Sequence, residues 1–152
     1  MIYIYSSSIN SGKTTALSRL NNYLKTRRKL CSFLSIKKEY KSKREYFLYI
    51  NGEKFSKIVE VVNGKLYYFE KVFELAYKFC FFYPFDFFII DEAGYLELDK
   101  KGFYRIIKYI IDNDKDCVIC VRDFLLKDFI SFYKIKNYLI VNEIGEIKKC
   151  LK

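Results

Sequence analysis

Histidine is missing from all 152 residues. Ser-His-Asp and Cys-His catalysis go with it, as does any metal site that needs imidazole. Long apolar runs are scarce as well. The longest, 79–90, is broken by Pro84 and Asp86 and is too short to cross a bilayer, so no membrane span is expected. Five cysteines are present, and only Cys117 and Cys120 suggest a pair. Both fall in a stretch that reads as a buried strand, where they would point to opposite faces and suit neither a chelate nor a redox couple. An odd cysteine count without a signal-peptide pattern suits a reducing, cytoplasmic setting with buried free thiols. No internal repeat or linker is visible, and 51% hydrophobic content is enough for a core in one domain over 1–152.

Acidic residues are outnumbered, 18 against 28 basic ones, for a formal net charge of +10. Such a balance attracts phosphate-bearing partners, nucleotides or nucleic acid. It also follows from a composition rich in Lys, Ile, Asn, Tyr and Phe. The basic residues are scattered, with clusters only at 25–29 and 37–44, which favours composition.

The most informative stretch is IYIYSSSINSGKTT, from Ile2 to Thr15. A short apolar strand gives way to small polar residues, then Gly12-Lys13-Thr14-Thr15, then helix-forming sequence. That order is the sequence form of a loop that wraps nucleotide phosphates. Backbone N–H groups of Ser7, Ser8, Ile9, Asn10, Ser11, Gly12, Lys13, Thr14 and Thr15, with the helix N-terminus behind them, would converge on one anion. Lys13 adds a point charge toward the β- and γ-phosphates, and Thr14 offers a hydroxyl to Mg²⁺. Ser7 stands where the motif has its first glycine, and Asn10 tolerates the left-handed backbone that glycine would supply.

A second motif lies downstream. Phe87-Phe88-Ile89-Ile90-Asp91-Glu92 is an apolar strand that ends in two carboxylates. Ligands sit at the C-terminal edge of a parallel sheet. There Asp91 would hold Mg²⁺ and Glu92 would orient and partly deprotonate an attacking water. Arg122 follows the next apolar strand, Cys117 to Val121. It either supplies charge to the transition state in cis or is a surface arginine paired with Asp123 or another acid. In phosphate-loop ATPases with a catalytic Glu, this later strand is commonly inserted between the other two.

The remaining chain reads as an alternating α/β fold. Helices are expected over 15–28, 69–82, 101–111 (capped by Asp99) and 125–133, and strands over 30–36 and 138–141. The charged stretch 37–44 reads as a loop, and the tail from Gly145 is weakly determined. Between 45 and 69, three β-like pieces are separated by Asn51-Gly52 and Asn63-Gly64. Such turns mark a small antiparallel meander, inserted either to contact base or substrate or as structural decoration.

The loop Ile9 to Thr15 and the run Ile89-Ile90-Asp91-Glu92-Ala93-Gly94-Tyr95-Leu96-Glu97-Leu98 together resemble the small phosphate-loop nucleoside-triphosphatases first known from thermophiles. A cancer-related human enzyme belongs to the same family. Its second motif typically reads Asp-Glu-Ile-Gly-x-Met-Glu-Leu, which Asp91, Glu92, Gly94, Glu97 and Leu98 fit position for position. The resemblance implies a three-layer, RecA-like α/β fold with a mostly parallel sheet flanked by helices. It also implies slow, Mg²⁺-dependent hydrolysis of several nucleoside triphosphates, ATP and GTP among them. Two other readings stand beside it. Ser11 to Thr15 and Ile90 to Ala93 also look like type II thymidine kinases, although the zinc-holding cysteine pairs of those enzymes have no counterpart here. The other is a nucleotide-dependent switch or nucleic-acid-binding module, in which the basic charge acts on a polyanion.

Overall fold

The computed structural model describes residues 1–7 and 12–151. Eight strands form one sheet. In chain order they are β1 (Ile2–Ser7), β2 (Leu30–Glu39), β3 (Lys43–Ile50), β4 (Glu53–Val62), β5 (Lys65–Tyr68), β6 (Phe87–Ala93), β7 (Asp116–Arg122) and β8 (Tyr138–Val141). Across the sheet they run β5-β4-β3-β2-β6-β7-β1-β8. The half from β2 to β8 is parallel throughout, and β3, β4 and β5 continue it as an antiparallel meander. β7 therefore lies between the Asp-Glu strand and the strand that enters the phosphate loop.

Among the described residues, six α-helices flank the sheet: α1 (Lys13–Leu24), α2 (Glu70–Phe79), α3 (Tyr95–Leu98), α4 (Tyr104–Asp112), α5 (Leu126–Tyr133) and α6 (Ile144–Cys150). The period-2 alternation of the strands explains why both faces need cover. Tyr3, Tyr5, Phe87, Ile89, Val118 and Cys120 point to one face, beneath Leu17, Leu20 and Leu24 of α1 and Ile147 of α6. Ile4, Phe88, Ile90, Cys117, Ile119 and Val121 point to the other, where they meet α2, α4 and α5 through Phe73, Ala76, Ile106, Ile107, Ile110 and Phe129. Cys117 and Cys120 thus sit on opposite faces as free, buried thiols. No helix among the described residues is long and apolar enough to cross a membrane.

Two sequence expectations are corrected. The charged stretch 37–44 is mostly strand, not loop: β2 runs on to Glu39 and pairs with β3 from Lys37↔Tyr46 to Glu39↔Arg44. This end of the hairpin is largely exposed, and charged side chains there stay solvated while the backbone still pairs. Asp99 does not cap the helix after it. Instead α4 begins at Tyr104, and Asp99 closes the one-turn helix α3 and pairs with Lys101 at 2.5 Å. Asn51 and Asn63 take positive φ, 52° and 49°, each followed by a positive-φ glycine, the backbone of a two-residue hairpin turn. Asn51 also accepts from Ser32 N at 2.8 Å through its Oδ1, tying the first meander turn back to the parallel sheet. From Gly145 the tail is helical within α6, docked through Ile147.

Candidate active site

The site forms where β1, β6 and β7 end and where β2 passes Ser35. Gly12 precedes α1 with φ 77° and has no heavy atom within 4 Å of the place a Cβ would occupy. Backbone conformation, not space, therefore calls for glycine here. α1 has no acidic residue of its own in its first turn, so its N-terminal N–H groups and the positive end of its dipole suit an anion. Ser8, Ile9, Asn10 and Ser11 of the expected phosphate-binding stretch lie outside the described residues, as does the Ser7 side chain.

Thr14 Oγ1 donates to Asp91 Oδ2 at 2.9 Å, and the backbone N–H of Ser35 donates to the same oxygen at 3.1 Å. Three elements, α1, β2 and β6, thus converge on one carboxylate that is only 2% exposed. Burial pushes the Asp91 carboxyl up to about 6, against the opposing pull of the Thr14 and Ser35 hydrogen bonds. The neighbouring Glu92 charge adds to the rise and the Lys13 ammonium opposes it.

Glu92 follows in a left-handed conformation, φ 62°. The register of β6 against β7 slips at this point, passing from Ile90↔Ile119 directly to Ala93↔Val121. Three residue steps on β6 thus match two on β7, a β-bulge with Glu92 as the extra residue. Asp91 keeps to the α1 face while Glu92 is turned out of the alternation, so that Ala93 returns to the face of Ile90. A bulge that re-aims a side chain beside a site is a recurrent device, and a non-glycine residue at this φ costs on the order of 1–3 kcal/mol. The Glu92 Oε1 receives a hydrogen bond and ion pair from Arg122 Nη2. Arg122 ends β7 and pairs with Glu92 rather than with Asp123.

Beyond the bulge, Glu97 is a buried carboxylate that accepts from Gly94 N at 2.7 Å and from Phe103 N at 3.0 Å. It fixes the chain that leaves Glu92 and joins α3 to the start of α4. Burial pushes its carboxyl up to about 7.

Gly12 to Thr15, together with Asp91, Glu92 and Arg122, line a cleft of about 510 Å³. Sequence reading brought Lys13, Thr14, Asp91, Glu92 and Arg122 to one site, and the fold gathers all five around this cleft. It missed Ser35, whose contribution is a backbone N–H, and Arg44 and Tyr46, which reach the cleft from β3. No sequence signal marks Ser35. Arg44 and Tyr46 could have been found only by carrying the second strand past Ile36 into an antiparallel hairpin.

Threonine hydroxyl and aspartate carboxylate are hard oxygen donors, and their adjacency suits a divalent cation such as Mg²⁺. Among the described residues, no cluster of three or more His, Cys, Asp or Glu could hold a metal on its own, which leaves substrate oxygens and water to complete such a shell.

The fold resembles the crystal structure of THEP1 from the hyperthermophile Aquifex aeolicus, with a TM-score of 0.68 over 100% of this chain and 99% of that one, at 18% identity. No curated protein matches the chain by sequence. The family model described as NTPase matches residues 3–146, a span that holds the phosphate loop, the Asp-Glu strand and Arg122, and the chain therefore belongs to the NTPase family.

Proposed function

We propose that the chain hydrolyses magnesium-bound nucleoside triphosphates, ATP and GTP alike, to the diphosphate and inorganic phosphate. The observation that carries this reading is the 2.9 Å hydrogen bond from Thr14 to Asp91. It joins two motifs that lie 77 residues apart in the chain into one constellation at the C-terminal sheet edge, where α/β folds bind ligands.

Lys13 and the first N–H groups of α1 hold the terminal phosphates. Thr14 and Asp91 would hold Mg²⁺, which would supply positive charge to offset that of the triphosphate. Glu92 orients a water and takes its proton as the water oxygen bonds to the terminal phosphorus and the anhydride P–O bond breaks. Arg122, fixed against Glu92, directs positive charge at the charge that develops on the transferred group. The scheme acts on the triphosphate, which every nucleoside triphosphate carries, and broad base acceptance is proposed with it. The four buried free thiols, Cys31, Cys80, Cys117 and Cys120, support a reducing, cytoplasmic setting, with 1–152 acting as one domain.

Phosphate release from ATP and GTP tests the reading, with Lys13→Ala expected to abolish it. No release from the unaltered protein, or an equal rate in the variant, refutes it.

A further inference from the structure

A second cavity of about 290 Å³ opens from the same site. It shares Ser35, Arg44, Tyr46, Asp91, Glu92 and Arg122 with the phosphate cleft but none of Gly12 to Thr15. Its own walls are mainly apolar and aromatic, Ile58, Val61 and Leu66 from the meander, Phe73 from α2, and Tyr95 and Phe103 from either end of the α3 corner, with Glu97 the charged exception. The cavity therefore continues from the carboxylate end of the cleft, away from the start of α1. A triphosphate seated on α1 with its terminal phosphate toward Asp91 and Glu92 sends its nucleoside the other way. With a triphosphate so seated, the cavity would lie on the side from which a nucleophile approaches.

Water alone gains nothing from such walls. A cavity near the lower end of the usual ligand-pocket range, with aromatic flanks and a carboxylate at its mouth, fits a small planar molecule that bears a hydroxyl group. We infer that this cavity takes a nucleoside as phosphoryl acceptor, so that the site transfers phosphate to an alcohol as well as to water. The nucleoside hydroxyl oxygen bonds to the terminal phosphorus, the β–γ anhydride bond breaks, and the hydroxyl proton passes to Glu92. The products are a nucleoside monophosphate and a nucleoside diphosphate. This inference rests on the phosphate cleft taking a triphosphate, as proposed above.

The test incubates the intact protein with Mg²⁺ and ATP labelled on its terminal phosphate, adding adenosine, guanosine, cytidine, uridine or thymidine in turn. Labelled phosphate and labelled nucleoside monophosphate are measured separately. Leu66 is about half exposed (49%), so Leu66→Glu places a charge on the cavity wall without opening the core. Transfer to at least one nucleoside is expected, reduced about tenfold or more by Leu66→Glu, which replaces apolar wall with a charge where the face of the base would pack, and retained by Leu66→Met. Phosphate release with no labelled nucleoside overturns the inference and leaves the hydrolase reading standing. Nucleosides that only raise the KM for ATP overturn it too, by assigning the cavity to the nucleotide's own base. Transfer undiminished in Leu66→Glu moves the acceptor elsewhere. Neither release nor transfer removes both readings.

Discussion

Glu97 offers a test of how burial and hydrogen bonding balance at this site. Its two carboxylate oxygens each accept a backbone N–H, from Gly94 and from Phe103, yet burial still drives the carboxyl from 4.5 up to about 7. The native protein thus keeps a proton over a pH range in which the unfolded chain has already released it. Stability must fall as pH rises from about 4.5, and the loss is complete above about 7. That interval corresponds to roughly 3 kcal/mol. Glu97→Gln removes the titration altogether. Its amide has one oxygen for two N–H donors, which costs about 1–3 kcal/mol whatever the pH. The difference in stability between variant and parent should therefore move by about 3 kcal/mol in favour of the variant between pH 4.5 and 8. Asp91 titrates in both proteins and cancels. Urea unfolding followed by tyrosine emission suits a chain with fifteen tyrosines and no tryptophan. A difference that stays constant with pH, or moves the opposite way, refutes the argument that desolvation outweighs the two hydrogen bonds.

Two further outcomes are expected from the site. Glu92→Gln preserves the shape of the side chain and removes the proton acceptor, so kcat should fall by about 10²- to 10⁴-fold while nucleotide affinity, measured by equilibrium titration, stays the same; equal turnover removes Glu92 from the chemistry. Arg122→Ala takes away the partner of Glu92 and should lower kcat by about a hundredfold with a much smaller change in KM, and an unchanged rate in steady-state kinetics makes it a structural pair only.

Reading of the sequence reached furthest where the physics is local. Gly12-Lys13-Thr14 after an apolar strand, and Asp91-Glu92 after another, are recognisable because a run of six or so apolar residues needs cover on both faces and its polar end must come out at an edge. The two Asn-Gly turns of the meander are local in the same sense: they need φ above zero at adjacent residues, and these pairs adopt it most readily. The stretch 37–44 misled because charge marks solvent exposure, and an exposed hairpin end is as charged as a loop.

What the chain determined by itself, then, was the succession of elements, the faces of the central strands and the residue types at the two strand ends. Tertiary structure decided how those ends are aimed. The extra residue at Glu92 shows only against the register of β7, and the Ser35 N–H meets Asp91 across 56 residues of chain. The cavity beyond the carboxylates exists because the meander stands beside the α3 corner. Each of these depends on strand register and on packing between distant segments, which side-chain periodicity within any one segment does not encode.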